Sequence, residues 1–276
     1  MMNSKSEKQS RHAQRQTLKT SLPLVLRIAV ILGLVLLWEL AALTKLINST
    51  VIPAPHQIAI AYVELFKNGT LLGDLLQSIH RVMVGFCAAL FFGIPLGLLS
   101  GISRRVRTIL LPIIDVIRPI PPIAWVPLAI IWFGLGDHPS YFIVLLGAFP
   151  PVFLNSFAGV ESIDRQYIDV ARCLGATRWR IMYEVILPGA LPAILVGVRI
   201  GSAIAWTSVI AAELVGAQDG LGYMIQLNRL MLQTDNLLVG MITIGIAGVV
   251  LNIVLAYLSS ILLPWKPASS LSLKSP

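Results

Sequence analysis

The run VMVGFCAALFFGIPLGLLSG at residues 82–101 carries no charged side chain. As a helix rising 1.5 Å per residue it reaches about 30 Å, the thickness of a bilayer's hydrocarbon core. Five further apolar runs surround it: Leu24 to Leu43, Ile120 to Leu135, Tyr141 to Val160, Leu191 to Ala212 and Leu237 to Leu263. Only lipid keeps such stretches away from water, so each is predicted to be a spanning helix, six in all. The 276 residues are 56% hydrophobic and only 12% charged, where an ordinary soluble domain has about 25% charged, and the mean hydropathy is +0.81. That balance excludes a soluble globular protein, a disordered chain and a nucleic-acid binder. The fold class is all-α, a polytopic membrane protein with six transmembrane helices.

A basic tail with Lys5, Lys8, Arg11, Arg15 and Lys19 precedes the first run. This arrangement also describes a secretory signal peptide, whose apolar region is shorter, about 7 to 15 residues, and is followed by a small-residue cleavage site that is missing here. An uncleaved span is therefore expected. With that tail inside, Arg104, Arg105 and Arg107, then Arg165, Arg172, Arg178 and Arg180, then Lys266 and Lys274 all fall on the same side. Counting Arg27 with the tail, fifteen of the 21 basic residues gather there. The opposite loops keep Lys45, Lys67 and Arg229 beside Glu64, Asp74, Asp137 and Asp219. Because Lys and Arg accumulate in cytoplasmic loops, both termini are predicted to be cytoplasmic, and the net charge of +8 reports orientation rather than an acidic partner. The chain divides into a tail (1–20), a six-helix transmembrane bundle (21–265) that contains a long cytoplasmic loop at 161–188, and a second cytoplasmic tail (266–276).

Cys87 in the second span and Cys173 in a cytoplasmic loop lie too far apart in this topology for a disulfide; the first reads as a packing residue and the second as a free thiol. Gly93-x3-Gly97-x3-Gly101 and Gly197-x3-Gly201-x3-Ala205 have the small-residue spacing that brings membrane helices into close contact. No phosphate-binding G-x4-G-K-[ST] is present, so no ATPase motor is expected on this chain. H-E-x-x-H, C-x-x-C and G-x-S-x-G are missing too, and His12, His56, His80 and His138 are scattered. No catalytic set, no metal site and no cofactor are expected.

The loop from Glu161 to Pro188 is long for a connection between spans, and it is patterned. Tyr167, Val170, Ala171 and Leu174 recur at i, i+3, i+4 and i+7, an apolar stripe on a short helix whose other face shows Arg165, Asp169 and Arg172. Gly175 is placed to end that helix in a left-handed cap. Thr177 is placed to cap a second one bearing Trp179, Met182 and Ile186, until Leu187-Pro188 redirects the chain into the fifth span. A hairpin of this kind either lies on the lipid surface or docks on a partner.

Asp169-Val170-Ala171, Gly175 and Val185-x-Leu187-Pro188 resemble the EAA signature of ABC-importer permeases, E-A-A-x3-G-x9-I-x-L-P, with matching spacing. Arg118-Pro-Ile-Pro-Pro-Ile-Ala-Trp-Val-Pro, Ile131-Trp-Phe-Gly-Leu-Gly, Leu187-Pro-Gly-Ala-Leu-Pro, Arg199-Ile-Gly and Ala212-Glu213 extend the likeness over roughly Ile52 to Trp265. Together they resemble the nitrate/taurine/sulfonate permease family. Asp169 replaces the leading Glu and Val170 the first Ala. The resemblance implies a MetI-like bundle in a type I ABC importer, built from two permease subunits, two ATPase subunits that hold Mg-ATP, and an external substrate-binding protein in a bacterial inner membrane. It also implies that Tyr167, Asp169, Val170, Ala171, Arg172, Leu174, Gly175, Leu187 and Pro188 couple the bundle to the ATPase. Tyr167, Ala171 and Leu174 would form the apolar docking face, with polar contacts from Asp169 and Arg172.

Arg199, Trp206 and Glu213 on the fifth span are the candidate substrate-pathway residues. A mid-bilayer Arg costs about 2.5 to 3.5 kcal/mol on insertion scales, so Arg199 should face the bundle interior or water. There it either offers an anion a transient partner or holds the bundle together through an ion pair or carbonyl contacts. Residues 217–222 are expected to form a flexible outer loop before an amphipathic segment with Tyr223, Met224, Leu227 and Leu230. The expected function is import of a small anion, an aliphatic sulfonate or taurine first, with nitrate, bicarbonate or a pyrimidine precursor as alternatives of the same family. A passive channel or a membrane scaffold needs neither the hairpin nor an ATPase. A permease homodimer is the default assembly.

Overall fold

The structure is a computed structural model that describes residues 51–262 together with 26, 29, 30 and 32–44. The tails at 1–20 and 266–276, and part of the first span, lie outside those residues. All the regular elements among them are helices: α1 (Leu32–Leu43), α2 (Pro55–Lys67), α3 (Thr70–Ile102), α4 (Arg104–Ile117), α5 (Val126–Phe133), α6 (Asp137–Glu161), α7 (Arg165–Cys173), α8 (Arg178–Ile181), α9 (Leu187–Gly216), α10 (Leu221–Leu230) and α11 (Thr234–Leu262).

α6 is the axis, with α3 on one side and α9 on the other. Their approach follows from the small residues. A Cβ at Gly97 would lie 2.5 Å from the Phe153 carbonyl oxygen, and Gly93 and Gly101 admit Val152 and Val160 in the same way. On the other side Gly197 and Gly201 admit Asn155 and Val152. The stripes therefore do what their spacing predicts: they let three backbones meet at separations no side chain would permit. Gly85 extends the first stripe by two turns, against Val144.

Among the described residues, four helices are long and apolar enough to cross a membrane: 70–102, 137–161, 178–216 and 234–262. The first is longer than the sequence reading, since the helix that holds residues 82–101 begins at Thr70. The third expected span differs more. After α4, residues 118–121 turn and a 3-10 turn (Pro122–Trp125) leads into α5, so the pair is bent by 89°. Pro122 to Phe133 reaches only about 18 Å at 1.5 Å per residue, well short of the hydrocarbon core. Pro119, Pro121 and Pro122 explain this, because each removes a backbone donor and fixes φ. With α1 and the bent pair, the six-span count is consistent with this architecture.

Two further readings need correction. Cys87 is exposed rather than packed within the chain, because it falls on the face of α3 turned away from the glycine stripe. Leu187-Pro188 does not redirect the chain. Residues 178–216 form one continuous helical run, in which Met182–Ile186 is a π turn. Pro188 is the second residue after that π turn, and the run continues through it.

Candidate functional site at the two ends of the bundle

At one end of the bundle, α7 and α8 make the hairpin. Asp164 begins it, its carboxylate accepting from the Gln166 N–H at 3.0 Å. Gly175 ends α7 at φ +78°. There its own N–H donates to the Arg172 carbonyl at 2.9 Å and the Ala176 N–H to the Ala171 carbonyl at 3.0 Å, the paired bonds of a left-handed helix cap. Thr177 then caps α8, its hydroxyl accepting from the Arg180 N–H. Arg180 in turn meets Glu184 one turn on at 2.9 Å.

The hairpin is seated on the bundle by Ile163, Ile168, Ala171 and Ala176, which pack against Leu98, Val160, Ile181, Ile186, Ala190 and Ile194. Leu187 joins this cluster, whereas Pro188 is exposed. Tyr167, Val170 and Leu174 point the other way, at 68%, 59% and 82% exposure. Trp179 and Tyr183 are equally bare, their rings stacked at 6.3 Å. Ala171, unlike Tyr167 and Leu174, is half-buried against the bundle. At about 100° per residue it lies between Tyr167 and Ile168, at the edge where the helix meets the bundle, so the apolar stripe is divided between seating and exposure. Asp169 and Arg172 pair with each other at 3.2 Å on the outward side. Arg107 of α4 braces the same end, bonded to Glu161 at 2.5 Å and lying over the Phe157 ring.

The opposite end holds a feature that sequence reading left unassigned. Arg81 of α3 is 1% exposed and is among the largest fully buried side chains. Its guanidinium donates to Asp137 at the start of α6 (2.7 Å), to Glu213 near the end of α9 (3.0 Å) and to the Asp219 carbonyl (2.8 Å), and it also bonds the Asp219 carboxylate. Three successive N–H groups of the 217–222 loop are satisfied here too. Gly220 donates to Asp74 at 3.0 Å, Leu221 to the Ser78 hydroxyl at 2.9 Å and Gly222 to Glu213 at 2.9 Å. Ser78 itself donates to Glu213 at 2.9 Å. These are the free donors of the first turn of α10, where carboxylates are favoured by the helix dipole as well. The loop expected to be flexible is thus pinned, because buried acceptors meet its backbone donors one by one. Gly220, at φ +99°, is packed so tightly that a Cβ would meet the Glu213 carboxylate and Arg81.

The three candidate pathway residues separate. Glu213 belongs to the Arg81 cluster. Trp206 is buried between α9 and α11, its indole N–H donating to the Ile244 carbonyl at 3.2 Å. Arg199 is half-buried, and its Nε donates to Asn252 of α11 at 3.0 Å. The sequence showed Arg81 only as a charge at a span boundary. Its partners are separated from it by 56 to 138 residues, and a charge inside an apolar helix was the one signal available.

Residues 93–266 match the family described as binding-protein-dependent transport system inner membrane component. The taurine transport system permease protein TauC of Escherichia coli strain K12 is 40% identical, over 92% of this chain and 95% of that protein. The putative aliphatic sulfonates transport permease protein SsuC of Bacillus subtilis strain 168 is 35% identical over 84% of each chain. Among solved structures, an inward-facing form of the MetNI methionine ABC transporter superposes with a TM-score of 0.59 at 20% identity, covering 74% of this chain and 97% of that one; the likeness is one of fold.

Proposed function

The chain belongs to the family of binding-protein-dependent transport system inner membrane components, among its nitrate/taurine/sulfonate permeases, and from that premise we propose that it is the permease subunit of an ATP-driven importer for taurine or another aliphatic sulfonate. The observation that carries the substrate class is the 40% identity to a taurine permease over nearly the whole of both chains. The hairpin supports the coupling. Tyr167, Val170, Leu174, Trp179 and Tyr183 are large, apolar and bare, and they stand on a hairpin whose other side is locked into the bundle. A face of this composition fits a protein partner, and an ATPase subunit is the partner proposed.

In this reading the importer holds two copies of this chain, two ATPase subunits carrying Mg-ATP, and an external binding protein that delivers the anion at the Arg81 end. The hairpin end is cytoplasmic, as are both termini, and the membrane is a bacterial inner membrane. ATPase closure pushes on α7 and α8. Because α8 runs without interruption into α9, and the seating residues Ile168 and Ala171 share a cluster with Ile186, Ala190 and Ile194, that push reaches the span directly. Asp169 and Arg172 give the exposed face its charges. Gly175 sets the angle between the two hairpin helices, and Leu187 and Pro188 carry the strain at the foot of α9.

Isolation of the chain from its native membrane in mild detergent tests this. An ATPase subunit is expected to co-purify in about equal amount. Gly175→Pro is expected to abolish ATP-driven taurine uptake while the protein still inserts, since proline cannot adopt φ +78° and lacks the N–H that closes the cap. A chain that purifies without an ATPase, or unchanged uptake by the variant, refutes the coupling.

A further inference from the structure

Two arginines lie within long apolar helices, and the fold treats them oppositely. Arg81 is surrounded by three carboxylates. Arg199 has no carboxylate within ion-pair distance among the described residues: its one side-chain bond there runs from Nε to the neutral Asn252. The two terminal nitrogens, the fork that grips an oxyanion in a bidentate manner, are therefore left without a described partner.

Its position adds to this. Arg199 is fourteen residues before Glu213 on the same helix, about 21 Å at 1.5 Å per residue. With Glu213 at the level of the far-end cluster, the guanidinium lies well inside a hydrocarbon core about 30 Å thick. It stands at the margin of the α9–α11 seam, about two turns from Trp206's contact with α11. Beside it runs the exposed stripe of α9, Val196, Ile200, Ala203 and Thr207. Thr207 has its hydroxyl satisfied by its own helix, which leaves small, smooth neighbours around one unneutralised cation. A permanently charged group at this depth is stable when an anion or water reaches it.

We propose that Arg199, oriented by Asn252, is a coordination point for the anionic head group of the transported solute on its way through the bundle. The proposal rests on the anion-importer reading above. Asn252 is the positioning residue: by holding Nε it fixes the plane of the guanidinium and leaves the Nη1 and Nη2 pair for the anion. The shared chemistry is a singly charged oxyanion, and a lipid phosphate offers the same chemistry.

The test uses the whole transporter, permease with its co-purified ATPase and binding protein, reconstituted either in phosphatidylglycerol or in a phosphate-free galactolipid. Arg199 is modified with phenylglyoxal and read by mass spectrometry, with ethanesulfonate, nitrate or a neutral sugar present. Protection by ethanesulfonate or nitrate of at least about fivefold in galactolipid, with none from the sugar, upholds the site. Modification that is equal under all conditions, or blocked only in phosphatidylglycerol, overturns it, the latter in favour of a lipid headgroup. Failure of Arg199 to react at all also overturns it.

Uptake separates the two layers of the argument. Arg199→Gln is expected to lower taurine uptake about tenfold with ATP hydrolysis still stimulated by the binding protein, Arg199→Lys to restore part of it, and Asn252→Leu to raise KM more than it lowers the maximal rate. Wild-type uptake by Arg199→Gln overturns the Arg199 role alone. A wild-type transporter that moves neither taurine nor ethanesulfonate overturns the sulfonate reading, while nitrate protection still decides the site.

Discussion

Arg81→Met removes the one positive charge that holds four helices and a loop together at the end of the bundle away from the hairpin. What it leaves behind sets the magnitude. The Asp137 and Asp219 side chains are 42% and 47% exposed and turn to water at little cost, but the Glu213 side chain is 0% exposed. Breaking a buried pair by removing one partner costs about 3 to 5 kcal/mol, because the remaining charge is neither solvated nor matched. Folded domains have about 5 to 15 kcal/mol in total, and for a chain of this size each kcal/mol moves the melting temperature by about 2 to 4 °C. A loss of about 10 °C is expected for the purified protein in detergent, followed by size-exclusion after heating. Adding Glu213→Gln to Arg81→Met removes the stranded charge yet keeps an oxygen to accept from the Gly222 N–H. The double variant should therefore recover at least about 2 kcal/mol of the loss, a coupling well outside additivity. If Arg81→Met melts within 2 °C of the parent, or if the second substitution recovers nothing, the cluster is not the electrostatic anchor described here.

Two further substitutions test the axis and the exposed face. Gly97→Val should destabilise the bundle by about 1 to 3 kcal/mol or more, since even a methyl group there would lie 2.5 Å from the Phe153 carbonyl; a melting curve of the purified protein checks it, and Gly73→Val, with open space around it, should change little. Tyr167→Ser combined with Trp179→Ser removes two side chains about 70% exposed, so the melting temperature should stay within about 2 °C while the yield of co-purified ATPase falls severalfold.

The elements that were legible in the sequence are those encoded locally. Residues 82–101 announce a span through composition alone, the four-residue glycine spacing announces close packing, and Gly175 and Thr177 announce a turn through their own backbone chemistry. Where expectation and structure part, a neighbour decides. The apolar stripe of α7 reads as one face, yet the bundle takes Ile168 and Ala171 and leaves Tyr167, Val170 and Leu174, a division set by what lies beneath the helix. Leu187-Pro188 reads as a break, yet the π turn just before it lets the helix continue. The loop at 217–222 reads as flexible from its glycines, yet Asp74, Ser78 and Glu213, from two other helices, hold its N–H groups. Nothing near residues 217–222 in sequence identifies two of those three acceptors.

The arrangement of charge ties the two ends of the bundle to one mechanical picture. A span transmits a push only if its far end is held in a defined place. In the proposed importer α9 would receive the push at its hairpin foot, through the unbroken run from Arg178; its other end is anchored by Glu213 in the Arg81 cluster. The same cluster holds α3, the first turn of α6 and the start of α10. Displacement of the hairpin would then not be absorbed by fraying at the far end, where the N–H groups of residues 220–222 and the Arg81 guanidinium each have partners to lose. It has to appear as movement of α9 with its neighbours as a body. Arg199 lies between the two anchored ends, where such movement would change what its guanidinium faces.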